Sequence, residues 1–321
     1  MTLDLEMYSL IAVYSAMALY TLAFVAFTVD LARRSSPEPL EASASDTVSA
    51  VASAGGTALL ERTDASVTTG RERGSRALRT GMSLTVVGFA LHAVGVALRG
   101  FAAGYAPWSN MYGFAITATG IIVGVFLLVQ FWQDLRFLGA YIVGFCLAFL
   151  GLATVNFYVA VAPQPPALQS AWLVMHVFVA ILGTSFFALG GGLSLVQLLQ
   201  ARREARGGEG MRFLATLPTS ERLENLAYRL ILVGFVFWTF TLIAGAIWAE
   251  RAWGRYWGWD TKEVWTFIIW TIFAGYIHAR ATRGWRGSRS AWLAIIGFVA
   301  VLFNFTVVNL FFKGLHAYSG L

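Results

Sequence analysis

The chain has 321 residues, of which 58% are hydrophobic and only 12% charged, and its formal net charge is +6. That balance excludes a typical soluble globular protein and points to a polytopic membrane protein. The positive charge is not a nucleic-acid signal, because its distribution follows membrane topology.

A bilayer core takes roughly 20 apolar residues per helical span. Eight runs qualify: 7–31, 80–99, 112–131, 137–161, 171–199, 226–249, 264–282 and 290–312. None alternates as barrel strands do, so the expected fold class is all-α, a polytopic bundle of about eight transmembrane helices. The first run follows Asp4 and Glu6 rather than basic residues and is too long for a signal core. It reads as a retained anchor. Residues 35–79 are rich in Ala, Ser, Thr, Gly, Glu and Arg and poor in large apolar side chains. They read as a flexible loop insertion.

Span two carries His92, with Gly88 and Gly95 on the same helix face. The connection 100–111 then brings Tyr105, Pro107, Trp108 and Asn110. Span four holds Cys146, the only cysteine, so the chain has no CxxC pair and no CxxCH of its own. A lone cysteine among apolar residues reads as packing material. Span five opens with His176, one turn after Trp172. Between spans six and seven, Trp253 to Trp265 packs four tryptophans into thirteen residues, interleaved with Gly254 and Gly258. His278 lies near the end of span seven, and His316 follows span eight. No internal repeat is evident, and the chain reads as a single membrane domain, 1–321.

Charge sets the expected orientation. With both termini outside, the four inner loops carry seven, one, six and four arginines. Arg99, Arg251, Arg255, Lys262 and Lys313 are the basic residues left outside. The positive-inside rule favours this arrangement and puts the Trp-rich segment on the outer face of the cytoplasmic membrane.

The four histidines carry the chemistry. An ionisable group within a bilayer is costly and is a functional hypothesis by default, and neutral imidazole is a common iron ligand. Two histidines across a gap make a bis-histidine haem site. His176 and His316 lie at the outer surface beside the tryptophans. His92 and His278 lie in or near membrane helices, at depths that match less well. Gly88 and Gly95 leave a flat surface beside His92 for a porphyrin. The alternative is that these small residues let helices pack closely. Trp253, Trp257 and Trp259 offer the area to cover a large planar ligand. Gly254 and Gly258 would permit close backbone approach, and Arg255 or another outer cation would pair with propionates. Asp260 and Glu263 would fix the segment by local pairing. Interface tryptophans are common in membrane proteins, which is reading enough for Trp248 and Trp265.

The segment Trp253-Gly254, Trp257, Trp259-Asp260 and Glu263 resembles the WWD signature of haem-handling proteins in cytochrome c maturation. With Pro107-Trp108-Ser109-Asn110-Met111-Tyr112, Met175-His176-Val177, His278-Ala279-Arg280 and Gly314-Leu315-His316-Ala317-Tyr318, the chain is most similar to the CcsA/ResC family of system II, called CcsB in some bacteria. The resemblance spans nearly the whole chain outside 35–79. It implies that 250–265 is a haem-binding segment on the outer face. It implies haem b as a transferred substrate, ligated by His176 and His316 outside and by His92 and His278 within the membrane. It also implies a ResB-like membrane partner and an apocytochrome c whose CxxCH thiols add to the haem vinyls. Synthase (haem lyase) activity would belong to the chain only together with that partner. Two other readings stay open: a b-type bis-His cytochrome that transfers electrons, and a haem exporter without synthase activity.

Overall fold

The long apolar runs become long helices. A computed structural model describes residues 2–35, 75–208 and 210–316. The flexible insertion expected at 35–79 lies almost wholly outside them. The helices are α1 Thr2–Ser35, α2 Arg76–Ala103, α3 Met111–Val129, α4 Gly139–Asn156, α5 Ala171–Ala205, α6 Ser220–Trp253, α7 Thr261–Thr282, α8 Ser288–Phe305 and the short α9 Val307–Phe311. Among the described residues there is no strand. Seven helices are long and apolar enough to cross a membrane. The remaining long one, α7, has 22 residues. It falls short on composition, because its threonines and tryptophans, with His278 and Arg280, dilute the apolar run. The predicted eighth span is broken at Thr306 into α8 and α9.

Two packed halves meet through α3 and α5. In the first, α1 lies along α2. Glycines make that approach possible: a Cβ at Gly81, Gly88 or Gly95 would stand 2.9, 2.9 or 2.8 Å from Phe27, Tyr20 or Val13. Ser9 Oγ donates across the seam to the Gly95 carbonyl at 2.7 Å. In the second half α5 pairs with α6, and α7 and α8 close the bundle. The Phe187 and Phe273 rings stack there at 3.7 Å, beside the buried Trp238 and Tyr276.

The two ends of the bundle are tied by charge. At one end Arg280 bonds Glu224 at 2.7 Å and lies over the Tyr228 ring, and Glu224 also accepts from the Gly287 N–H. At the other end, Arg99 pairs with Glu6 at 3.5 Å and lies 4.6 Å from the Tyr112 ring centre. Buried ions need such partners. This second end also carries the Trp-rich connection, His176 and His316, and is called the aromatic end below.

Candidate functional site

His176 is cradled by one face of α6. Thr241, Gly245 and Trp248 follow one another at helical spacing, and each meets the ring in its own way. The Thr241 carbonyl accepts from Nδ1 at 2.9 Å. Gly245 leaves room, since a Cβ there would stand 2.7 Å from His176 Cε1. Trp248 stacks on the imidazole with ring centres 5.8 Å apart and planes 20° from parallel. The indole N–H donates to the Ala167 carbonyl at 3.0 Å, which fixes the ring.

His316 is held from α7. That helix starts with a capping box: Asp260 accepts from the Lys262 N–H, and Glu263 accepts from the Asp260 N–H. Glu263 also accepts from the Gly258 N–H at 2.8 Å. The remaining capacity of Asp260 goes to the C-terminal segment: it accepts from His316 Nδ1 at 3.0 Å and from the Leu315 N–H at 2.8 Å. The His316 hydrogen bond is the main reason that the Asp260 carboxyl lies well below the usual range, at about 2. Trp248 and Trp253 pack edge-on against the His316 ring at 5.5 and 5.0 Å. One buried tryptophan, Trp248, therefore touches both imidazoles.

Both histidines have Nδ1 engaged by an oxygen, and for both Nε2 has no hydrogen bond among the described residues. This is the usual arrangement of a metal-ligating histidine: the second-shell acceptor fixes the tautomer and leaves the other nitrogen free. Both line one open cleft of about 1590 Å³, including its solvent-filled mouth. Its lining includes the aromatic side chains of Trp108, Tyr256 and Trp257 and the apolar Phe145, Phe149 and Ile122. Two imidazole nitrogens left free and aromatic walls suit a metal whose other ligands come from a flat ring. Among the described residues, no three His, Cys, Asp or Glu gather to hold a bare ion.

The other expected site residues are placed differently. Trp257 lines the cleft, whereas Trp253 backs His316, and Trp259 is 78% exposed with its ring edge-on to Trp257 at 5.8 Å. Trp259 holds a left-handed φ of 59°, unusual for a bulky residue. The two glycines differ: space beside Gly254 is open, whereas Gly258 is closed off. Gly254, at φ 70°, ends α6 in a left-handed cap, and Gly258 is covered by the Arg255 guanidinium. Arg255 is turned onto the Gly258 carbonyl at 3.2 Å rather than toward the cleft. Asp260 and Glu263 do fix the segment, through backbone N–H groups rather than through Arg255 or the Lys262 ammonium.

The inner pair needs correcting. His92 is fully buried, with Nδ1 3.3 Å from the Tyr20 hydroxyl of α1 and its ring against Gly120 of α3. The face of Gly88 and Gly95, read as open to a porphyrin, is filled by Tyr20 and Val13. His278 is exposed on α7, with open space beside Gly275 one turn before it. His92 is thus sealed between α1 and α3 while His278 is exposed on α7, so the two rings lie in different surroundings.

The comparisons with known proteins agree with the aromatic end. Residues 108–316 match the family model described as cytochrome C assembly protein, a segment that opens on Trp108 and closes on His316. This match, with the long apolar helices, marks a multi-pass membrane protein of the cytochrome c assembly family. Relatives described as cytochrome c biogenesis protein CcsA include those of Synechococcus sp. (strain CC9902), 40% identical over 194 residues, and Guillardia theta, 37% identical over 235 residues. The first alignment covers 54% of this chain and 64% of the relative, the second 68% and 78%. Against the Synechococcus protein the chain therefore spans just under two thirds of the relative's length. The relative from Porphyra purpurea is 34% identical over 260 residues, 70% of this chain and 82% of its own. The chain belongs to the CcsA family. A solved structure described as cytochrome c heme lyase CcmF has the same fold, with a TM-score of 0.65 at 15% identity over 94% of this chain and 46% of that one.

Proposed function

We propose that this chain is the haem-presenting subunit of a system II cytochrome c synthase, working on the outer face of the cytoplasmic membrane. The observation that carries the reading is the pair His176 and His316, each with Nδ1 tied down, on one aromatic-lined cleft. Haem b is the substrate. The Nε2 atoms of His176 and His316 hold its iron, while Trp108, Trp248 and Trp257 shape the cleft around the ring. A WWD-type segment at 250–265 supplies Asp260 and Trp253, which set His316.

The chain's contribution is positioning. An apocytochrome CxxCH segment docks at the mouth, and its histidine replaces one protein ligand. Each cysteine S–H then adds across a vinyl C=C, forming a C–S bond and placing the hydrogen on the neighbouring carbon. No electron leaves the system, so the thiols must arrive reduced. A ResB-like membrane partner completes the synthase. A b-type electron carrier would need a second haem site, and the burial of His92 against Tyr20 and Gly120 speaks against one there. A haem exporter would use the same site but would not attach haem.

Coexpression with a ResB-like partner and a CxxCH reporter, followed by haem staining, tests the reading. The double variant His176→Ala/His316→Ala is expected to reach the membrane in normal amount and to yield no holocytochrome. Normal holocytochrome from that variant would sink the proposal. Haem release outside without attachment, in the complete system, would identify an exporter.

A further inference from the structure

One wall of the cleft is polar, and Lys262 is its centre. Among the five basic residues expected outside, Lys262 is the one that lines the cleft among the described residues. The others are otherwise placed: Arg99 with Glu6 and Tyr112, Arg251 over Trp172, Arg255 on the Gly258 carbonyl, and Lys313 outside the cleft lining. Lys262 lies in the first turn of α7, and its ammonium donates to the Asn309 amide oxygen on α9. The Asn309 amide nitrogen faces Met111 Sδ at 3.5 Å. Asn304 of α8 lines the same wall; it is 4% exposed, and its Oδ1 has no partner among the described residues.

The charge of Lys262 is not neutralised locally. Among the described residues, no carboxylate oxygen forms an ion pair with its ammonium. Asp260 attracts it at longer range, but that carboxylate is engaged by His316 and by two backbone N–H groups. Glu263 also lines the cleft, with one oxygen engaged by the Gly258 and Asp260 N–H groups and the other buried without a partner. An ammonium facing an apolar, partly enclosed space, with only a neutral amide in hydrogen-bond contact, is costly until an anion joins it.

Resting on the reading of the cleft as a haem site, we infer that Lys262, with Asn309 and Asn304 beside it, is the subsite for the carboxylate side chains of the tetrapyrrole held by His176 and His316. The propionate edge then lies along the α7–α9 wall, which turns the vinyl edge away from that wall. The subsite selects a tetrapyrrole with free carboxylates over an esterified one.

The test uses the full chain in detergent and two probes, iron protoporphyrin IX and its dimethyl ester. Each is titrated into wild type, Lys262→Met and Lys262→Arg, and affinity is read from the Soret band. The ester differs in detergent partition, so the informative number is the acid-to-ester affinity ratio in wild type divided by that in each variant. That quotient is expected to be roughly tenfold for Lys262→Met and near one for Lys262→Arg. A quotient near one for Lys262→Met, with a bis-imidazole spectrum retained, overturns the subsite alone. A wild-type spectrum indifferent to His176→Ala and His316→Ala overturns the haem site and the subsite together. Lys262→Gln, which keeps a donor for Asn309, replaces the methionine variant should that one not be recovered.

Discussion

Asp260 and Trp248 carry more of the site than their place in the sequence indicates. Asp260 joins the start of α7 to His316 through a single carboxylate, so it acts as a positioning residue. Asp260→Asn is expected to lower haem affinity roughly ten- to hundredfold, the usual cost of losing a carboxylate behind a metal-bound histidine. A Soret titration of purified protein checks this, and an unchanged affinity would remove Asp260 from the site. The pH dependence follows from its depressed pKa. In the unfolded chain the carboxyl has a pKa of about 3.9, whereas in the fold it titrates at about 2. Its stabilising contribution is therefore fully present above about pH 4 and is lost as the pH falls to about 2. Between pH 5 and 8 this carboxyl contributes no slope, and Asp260→Asn should remove part of the acid transition followed by tryptophan fluorescence. His176 and His316 stand out in the sequence because ionisable residues are rare in such a chain. Trp248 was not, because an interface tryptophan looks the same in one dimension. The signal available was its helical spacing from Thr241 and Gly245, which becomes meaningful only when α5 is known to lie against α6.

Among the elements, the α5–α6 pair decides where the first imidazole stands. A Cβ at residue 245 would collide with His176 Cε1 at 2.7 Å, and the ring has little freedom while Thr241 holds Nδ1. Gly245→Ala is expected to leave both helices intact by circular dichroism and to reduce haem binding by about a hundredfold, the scale of a misplacement near 1 Å. Binding within twofold of wild type would mean that the ring can shift without loss. The same logic explains why His92 misled. Gly88 and Gly95 beside a histidine describe a flat face equally open to a porphyrin or to another helix. Only the lie of α1, with Tyr20 and Val13 filling that face, decides between them. The helices themselves were legible because each long apolar run has a single solution in lipid. The start of α2 at Arg76 was missed by four residues, since Ser75 caps the helix ahead of its apolar run.

The whole molecule is a bundle with unlike ends, and its orientation is the largest expectation that rests on sequence alone. Cysteine labelling tests it, because Cys146 is buried and gives a silent background. Ala162→Cys, exposed at the aromatic end, is expected to react with a membrane-impermeant maleimide on intact cells. Arg206→Cys, exposed at the opposite end, should react only after permeabilisation. The reverse pattern would place the cleft in the cytoplasm and end the proposed function. Charge asymmetry was legible because it needs no tertiary information, whereas the different surroundings of His92 and His278 depend on which helices pack together. The buried state of Cys146 has one more consequence. Its sulfur is sealed against the Thr119 carbonyl at 3.7 Å, behind the cleft wall. A carrier with an accessible thiol beside two vinyl groups would alkylate itself and become welded to its own cargo. Under the proposed function, keeping its lone thiol out of reach would let this chain release what it holds, each turnover leaving the carrier chemically unchanged.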